Sequence, residues 1–244
     1  MIKRKQQQVS QSSGESGFTI IESLVAIVVV TVLVAAIAPT IVIATATRVQ
    51  SKRIELATQA ARTFIDGVKT GAVTTPATTI TLTLSATATP RSLADNLLTP
   101  SATSMPVPAT STSTSLYCVK KDTNNILTIS NPDCTSNVNK IFYIQAVKLI
   151  VTGSTPINST TGLPIDGYGL GIRVYRSDID FTKTVNASDS SNNKRQNTFI
   201  GTLGNTQSPL VEMTTVIGSK NTSFNTLCQR LAITNSTTSN NTCN

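Results

Sequence analysis

The chain lacks histidine and tryptophan, and it is poor in charged and aromatic residues, which make up 13% and 4% of its 244 residues. Histidine is the commonest general base and the commonest transition-metal ligand in proteins. Its absence excludes Ser-His-Asp and Cys-His catalysis and the usual zinc-enzyme centres. The scarcity of aromatic residues also leaves little material for the core of a globular enzyme of this size.

Small polar residues take the place of charges, with 41 Thr, 26 Ser and 18 Asn in the chain. A surface solvated mainly by hydroxyl and amide groups is more typical of an extracytoplasmic protein than of a cytosolic one. The sequence contains no nucleophile elbow, no catalytic carboxylate pair at a known spacing and no phosphate-binding glycine loop. We therefore expect a protein that is not an enzyme and that needs no cofactor.

The formal net charge is +8, and a basic surface attracts anionic polysaccharide or nucleic acid. Its basic residues are scattered and are not interleaved with aromatic residues, so we expect no specific nucleic-acid binding. Asp178 and Asp180, with Asp166 and Asp189 nearby, form the one acidic group that would suit calcium. Because no ordered D-x-D-x-D-G loop is present, we predict no metal site.

The apolar residues are concentrated near the N-terminus, in the run FTIIESLVAIVVVTVLVAAIAPTIVIATA from Phe18 to Ala46, in which Glu22 is the single charge. As a helix, residues 18–38 alone would be about 31 Å long, close to the hydrocarbon thickness of a bilayer. The apolar region of a secretory signal peptide has only ~7–15 residues. The run therefore predicts a membrane-inserted helix, flanked by basic residues at 3–5 and 48–53.

Two features of this run are unusual for a simple anchor. Glu22 lies inside it, although an ionisable side chain in a membrane helix costs at least ~2.5 kcal/mol on insertion scales, which indicates a partner or a function. At SGFTIIE the chain also changes abruptly from a polar leader to apolar residues. The glycine at that junction, Gly17, keeps the backbone accessible to a protease at the membrane surface.

A basic leader followed by GFTIIE and a long apolar run resembles the class III signal of type IV pilins and pseudopilins. The resemblance implies that a prepilin peptidase cleaves between Gly17 and Phe18 and methylates the new amino terminus at Phe18. It implies that the Glu22 carboxylate meets the N-terminal amine of a neighbouring subunit during assembly, a pairing that favours one register in an apolar core. Pro39 lies where many pilins carry a helix-breaking proline, which removes a backbone donor and loosens or kinks the helix.

The helix is predicted to continue past the membrane as an amphipathic segment. Apolar residues recur there at helical spacing, at Val49, Ile54, Ala57, Ala61, Phe64, Ile65 and Val68. Lys69 followed by Gly71 predicts the end of the helix. The expected organisation is a leader at 1–17, a transmembrane and assembly helix at 18–46, an amphipathic helix at 47–71, a Thr/Ser/Pro-rich linker region at 72–115 and a β-rich head at 116–244 with a disulfide-tied C-terminus.

The head is predicted to be a mostly antiparallel sheet packed against the second half of the helix, an α+β fold like that of type IV pilins. Apolar or alternating runs between turn residues predict its strands, at Thr79–Leu84, Leu116–Lys120, Ile126–Ser130, Ile141–Val151, Tyr168–Tyr175, Thr198–Leu203 and Leu210–Ile217. No helical period competes with these strands, so no helix is predicted beyond residue 71.

Four cysteines lie in the predicted head, at Cys118, Cys134, Cys228 and Cys243, and none belongs to a C-x-x-C motif. Beyond a membrane segment and without histidine, they predict disulfides rather than metal ligands. Four cysteines allow three pairings. We favour the local one, Cys118–Cys134 and Cys228–Cys243, in which each bridge closes a loop of about 17 residues and contributes about 3 kcal/mol. The second bridge resembles in its placement the C-terminal disulfide loop of many pilins.

These features predict a minor pilin or pseudopilin in the inner (plasma) membrane, with a cytoplasmic N-terminus and a periplasmic head, and with incorporation into a pilus or pseudopilus. The implied partners are the prepilin peptidase, other pilins through the N-terminal helix, and the assembly platform and ATPase of the machine. The N-terminal quarter further resembles cyanobacterial pseudopilins of the hormogonium polysaccharide secretion type, which implies polysaccharide export and gliding motility. The alternative is a membrane-anchored extracellular module, adhesin-like or carbohydrate-binding, that does not polymerise.

Overall fold

The computed structural model describes residues 19–83, 105–111, 116–124, 126–130, 134, 139–151, 157–161, 163–188, 194–196 and 204–231. The chain divides into two compact units, Met1–Thr45 and Ala46–Asn244, and the second unit is called the head below. The predicted strand Thr198–Leu203 lies outside the described residues.

Helix α1 extends from Ile20 to Thr70. Its start is capped by Thr19, whose hydroxyl oxygen accepts a hydrogen bond from the backbone N–H of Glu22 at 3.3 Å, as N-cap threonines do. The helix continues through Pro39, so the proline removes one backbone donor without ending the helix, and a kink at this residue stays a prediction. The chain leaves the helix at Gly71, which has a φ of +76°.

Within the described residues, six strands form one sheet: β1 Thr79–Leu82, β2 Leu116–Lys121, β3 Leu127–Ser130, β4 Lys140–Val151, β5 Tyr168–Arg176 and β6 Val211–Ile217. Their order is β3-β2-β4-β5-β6 with antiparallel neighbours, and β1 pairs with β4 in parallel. The twelve-residue strand β4 is long enough to pair with β2 along its first half and with β1 along its second. The predicted α+β fold, a long helix with a mostly antiparallel sheet, is confirmed. β1 belongs to this sheet although it lies within the predicted linker region.

The part of α1 that belongs to the head packs on one face of the sheet. Ala57, Ala61, Phe64 and Val68 are buried there, as their spacing predicts, whereas Val49 is 43% exposed. The alanines are small enough to let the helix lie close to the strands. The ring of Phe64 meets that of Tyr117 edge-on, with a centroid distance of 4.8 Å, the geometry that aromatic pairs prefer.

The opposite face of the sheet is covered by loop segments. Successive strand residues point to opposite faces, so Leu116 and Cys118 face away from the helix while Tyr117 faces it. Over that second face lie Ile179 and Val185 from the loop after β5, and the fully buried Met105 from the segment before β2. Both faces of the sheet are therefore covered, one by a helix and one by irregular chain.

A second helix, α2, extends from Phe224 to Leu231, so the prediction of no helix beyond residue 71 is wrong. The helix begins after Ser223, whose hydroxyl oxygen accepts a hydrogen bond from the backbone N–H of Thr226 at 3.2 Å. Its eight residues make about two turns, which is too short for a recognisable apolar period. The local signal was the N-cap serine.

Gly71 and Gly167 both have a positive φ, but only at Gly167 is there no space for a side chain. The two positions therefore distinguish the cost of the backbone conformation from the cost of a steric clash. At Gly71, with a φ of 76°, an added Cβ meets nothing, whereas at Gly167, with a φ of 90°, it would overlap the carbonyl oxygen of Ile217. A left-handed conformation costs an L-residue roughly 1–2 kcal/mol. We expect Gly71→Ala to lower the free energy of unfolding of the head by about 1 kcal/mol, and Gly167→Ala by at least about 3 kcal/mol because overpacking adds to it. Denaturant unfolding measures both, and equal losses would contradict the packing described around Gly167.

Candidate functional site

The N-terminal unit presents an apolar surface. Every large apolar side chain from Ile20 to Ile43 is exposed, from 87% at Ile20 to 41% at Ile43. No described residue between 19 and 45 is classed as buried. Helix α1 is long and apolar enough in this part to cross a membrane, by length and composition. Apolar surface of this extent needs lipid or other protein chains around it.

The hydroxyl groups of this segment are satisfied within the helix. Ser23, Thr31, Thr40 and Thr45 each donate a hydrogen bond to a backbone carbonyl three or four residues earlier, at 2.6–3.0 Å. Such hydroxyls do not need water, so they are compatible with an apolar environment. Glu22 is then the one side chain between residues 20 and 45 that an apolar environment would leave with an unmatched charge.

Glu22 lies in the first turn of α1. Its backbone N–H donates to both the hydroxyl and the carbonyl oxygen of Thr19, at 3.3 and 3.0 Å. Thr19-x-x-Glu22 is the spacing of a capping box, and a carboxylate in the first turn interacts favourably with the helix dipole. The spacing was readable from the sequence, and the contact seen at the helix start is made by the backbone N–H of Glu22. Gly17 and Phe18 lie outside the described residues.

Two of the predicted disulfide residues are joined in the structure. Cys118 of β2 and Cys134 form a disulfide with a Cα–Cα distance of 5.4 Å. The Lys140 ammonium donates hydrogen bonds at 3.0 Å to the carbonyl of Cys134 and to the hydroxyl of Tyr143, which ties the bridge to strand β4. Cys228 of α2 is also disulfide-bonded. Because Cys243 lies outside the described residues, its pairing with Cys228 stays a prediction.

The strands of the head bring three polar side chains into a buried row. Gln145 of β4 pairs in register with Arg173 of β5, and Arg173 pairs with Glu212 of β6. The side chains of Arg173 and Glu212 are both fully buried, with Nε and Oε1 3.1 Å apart. Arg173 also donates to Gln145 Oε1 at 3.3 Å and to the carbonyl of Met105.

This row fastens the loop segments that cover the second face of the sheet. The Gln145 amide donates to the carbonyl of Pro106 at 2.6 Å, and Glu212 accepts a hydrogen bond from the backbone N–H of Ser188 at 3.0 Å. Burial lowers the pKa of the Arg173 guanidinium, and nearby Tyr175 and Glu212 oppose that shift. The guanidinium stays charged, because arginine is not deprotonated in proteins. Arg173 lies between apolar residues in the middle of the strand YGLGIRVYR, which indicates that it needs a buried partner but does not identify that partner.

Two features of the described part of the head bear on ligand binding: its acidic side chains and one small cleft. Among the described residues, no group of three or more His, Cys, Asp or Glu side chains comes together to hold a metal ion. Asp178 accepts a hydrogen bond from Arg176 Nε at 2.8 Å, and Asp180 accepts one from the hydroxyl of Thr182 at 2.6 Å. A cleft lined by Leu82, Leu149, Gly169, Thr214, Thr215, Val216 and Arg230 has a volume of about 40 Å³. Pockets for small molecules have roughly 300–1,000 Å³, so this cleft does not suit a sugar.

Comparison with known proteins identifies one feature. Residues 12–38 match the family model described as the prokaryotic N-terminal methylation motif. No curated protein and no solved structure matches the chain. The chain therefore carries a prepilin-type signal, and this signal supports a type IV pilin-like protein, a subunit of the pilin or pseudopilin kind. Such a signal implies processing by a prepilin peptidase and assembly with other pilins.

The buried row of Gln145, Arg173 and Glu212 is expected to contribute to the stability of the head. Removing one partner of a buried ion pair leaves an uncompensated charge and costs roughly 3–5 kcal/mol. We expect Arg173→Met to lower the free energy of unfolding by that amount. The matched control is Arg176→Met, the same substitution on the same strand, where Asp178 is 54% exposed and a loss of about 1 kcal/mol is expected. Urea unfolding measures the loss of free energy of unfolding in the two variants. Comparable losses would show that the row containing Arg173 does not stabilise the head more than an exposed ion pair does.

Proposed function

We propose that the chain is a non-enzymatic minor pilin or pseudopilin subunit of a type IV pilus-like or secretion apparatus. The observation that carries this proposal is the coincidence of two features near the N-terminus. The methylation motif at residues 12–38 overlaps an apolar helical segment whose large side chains are exposed and whose single charge is Glu22. An anchor requires the apolar segment alone, whereas assembly makes use of both features.

In this proposal a prepilin peptidase cleaves between Gly17 and Phe18 on the cytoplasmic side and methylates the amine of Phe18. The head lies on the periplasmic side, and the apolar segment stays in the inner membrane until the assembly platform and its ATPase extract it. Extraction exposes the apolar side chains to water, which costs about 25 cal/mol per Å² of apolar surface. Packing the segment against the helices of other pilins removes that cost and drives incorporation.

Glu22 supplies the register of this packing. After cleavage the chain begins with the positively charged amine of Phe18, and both that amine and Glu22 lie in an apolar environment. Two opposite charges in such surroundings stabilise the arrangement that pairs them and disfavour the others. The capping role at Thr19 is compatible with this, because the capping contact uses the backbone N–H of Glu22 and leaves the carboxylate available to a neighbouring chain.

The proposal also specifies the apparatus to which this subunit belongs. The N-terminal quarter resembles pseudopilins that support polysaccharide secretion and gliding or twitching motility. Removal of the leader, with Lys3, Arg4, Lys5 and Glu15, lowers the net charge from +8 to +6, and a basic subunit suits contact with an anionic polysaccharide. The large, Thr-rich head favours a minor subunit over a major one. The alternative, a membrane-anchored binding module that does not polymerise, gains no support from the 40 Å³ cleft in the described part of the head, and it gives Glu22 no role beyond the cap.

If Glu22 acts in assembly through its charge, a variant that removes the charge and a variant that weakens the N-cap should assemble differently. Glu22→Gln keeps a side chain that suits a capping box but removes the charge, so we expect normal cleavage and at least about a tenfold loss of incorporation into the filament or complex. Thr19→Ala is the matched control, because it weakens the cap and leaves the carboxylate in place; it should assemble almost normally. Measurements are the N-terminal processing of each variant and its amount in the assembled fraction. Wild-type incorporation of Glu22→Gln would refute the assembly role, and an equal loss in Thr19→Ala would assign Glu22 to the helix start.

A further inference from the structure

Basic residues follow directly after the apolar run, at the start of the head. Arg48, Lys52 and Arg53 all lie within seven positions of Ala46, the last residue of that run. Arg48 and Lys52 are exposed, and Arg53 is half-buried. A helical stretch of 29 residues, such as 20–48 of α1, is about 43 Å long, and a bilayer with its headgroup regions is about 40–45 Å thick. A membrane helix of this length therefore ends at the level of the lipid phosphates.

A buried hydrogen bond adds a second basic segment to this end of the head. The side-chain amide of Gln50 donates to Gln196 Oε1 at 2.6 Å, and both side chains are buried. Gln196 is held further by its own amide, which donates to the carbonyl of Ser208 at 3.0 Å. Lys194 and Arg195, directly before Gln196, are exposed. The contact between the two glutamines thus brings together basic segments that are 146 residues apart in sequence.

The basic residues of these two segments share one end of the head and are called the basic patch here: Arg48, Lys52, Arg53, Lys194 and Arg195. The segments that carry them, 46–54 and 194–196, contain no acidic residue. Within the described part of the chain the ion pairs join other residues, so no carboxylate there neutralises Arg48, Lys52 or Lys194. The patch therefore has positive charge available to an anionic partner.

We propose that the basic patch binds the phosphate groups of anionic phospholipids, on the membrane surface from which the head emerges. The proposal rests on the proposed function in one respect, the insertion of the apolar segment with the head outside the cytoplasm. Lys and Arg clustered beside a membrane helix attract anionic headgroups. On the cytoplasmic side, the bias that orients membrane helices accounts for such residues. On the side of the head that bias gives no reason for them, whereas lipid binding does.

Processing of the chain would make this patch more important. In the proposed function, cleavage before Phe18 removes the basic residues 3–5, and residues 18–47 contain no Lys or Arg. The patch then holds all the basic residues that flank the membrane helix. Anionic lipid retains the head at the membrane surface before assembly, and extraction of the helix breaks this contact.

The test is the lipid selectivity of the full chain reconstituted in phosphatidylcholine bilayers. Trace spin-labelled phosphatidylglycerol or phosphatidylcholine is added, and the motionally restricted fraction of the label in the electron paramagnetic resonance spectrum gives the association constant of one lipid relative to the other. We expect phosphatidylglycerol to be preferred, and Arg48→Gln/Lys52→Gln/Lys194→Gln to lower the preference at least about twofold. Arg48→Lys/Lys52→Arg/Lys194→Arg keeps the charges and should keep the preference. The basic leader is present in every variant and contributes equally to each.

The matched control removes the same number of charges at exposed positions outside the patch, in Arg62→Gln/Lys69→Gln/Lys220→Gln. Arg62 lies about 15 Å beyond Lys52 along α1, which exceeds the screening length of about 10 Å at 0.1 M salt. Lys220 follows the end of β6, whereas Gln196 is hydrogen-bonded just before its start. This control should keep the wild-type preference. Thermal unfolding of each variant shows whether the head is intact.

A measurement on the wild-type chain alone supports the test. Raising the salt concentration to 1 M shortens the screening length to about 3 Å, so the preference for phosphatidylglycerol should disappear. A preference that survives 1 M salt, or that falls equally in the patch variant and the matched control, would overturn the proposal. If inorganic phosphate suppresses the preference more than chloride at equal ionic strength, the patch binds the free ion and the assignment to lipid is wrong.

The outcomes distinguish this proposal from the proposed function. A chain that is cleaved before Phe18 but shows no patch-dependent preference contradicts lipid binding alone. A chain that is not cleaved but shows that preference contradicts the proposed function and leaves lipid binding in place. If no label is motionally restricted, the chain does not insert into the bilayer, and both fail.

Discussion

The N-terminal part of α1 imposes the constraint on which the rest of the account depends, because its apolar side chains are exposed from Ile20 to Ile43. The described residues of the chain leave this surface uncovered, and an apolar surface of this extent calls for lipid or other helices around it. The hydroxyl groups in this segment already bond to its own backbone, which makes it equally suited to a bilayer and to a bundle of helices. A helix that is stable in both environments is what transfer from membrane to filament requires.

Glu22 is the one group that distinguishes the two environments. In a bilayer its carboxylate has only a helix terminus for compensation, whereas in the proposed assembly it pairs with the N-terminal amine of a neighbouring subunit. The capping contact with Thr19 keeps the first turn formed in both situations. The same helix then changes character within the head, where alanines and Phe64 face the sheet and charges face outward. One continuous helix therefore presents an apolar surface in one unit and an amphipathic surface in the next.

Local pattern was enough to predict much of this fold. Length and apolarity predict α1, its three- and four-residue spacing predicts the buried face with Ala57 and Phe64, and alternating runs predict strands such as β4 and β5. The features that were missed depend on contacts between distant parts of the chain. The row formed by Gln145, Arg173 and Glu212 requires the register of three strands, and no single segment carries that information. Helix α2 was missed for the different reason that eight residues are too few for a period.

In the candidate site, too, local features could be predicted from the sequence and features that depend on distant parts of the chain could not. The signal at residues 12–38 could be predicted because a signal read by an enzyme must be local in sequence, whereas the individual roles of Gly17, Phe18 and Glu22 stay predictions. The buried row of Gln145, Arg173 and Glu212 has no such local signature, because its members lie on three different strands.

Mass spectrometry of the N-terminal peptide, from protein recovered from its native membranes, shows directly whether the chain is processed as a prepilin. We expect a chain that begins at Phe18 with a methylated amine. A chain that still begins at Met1 or Ile2 would contradict processing by a prepilin peptidase. Cleavage after Ala36, Ala38 or Ala46 would contradict the account as a whole, because the apolar segment would then be a removable secretion signal and no assembly helix would remain.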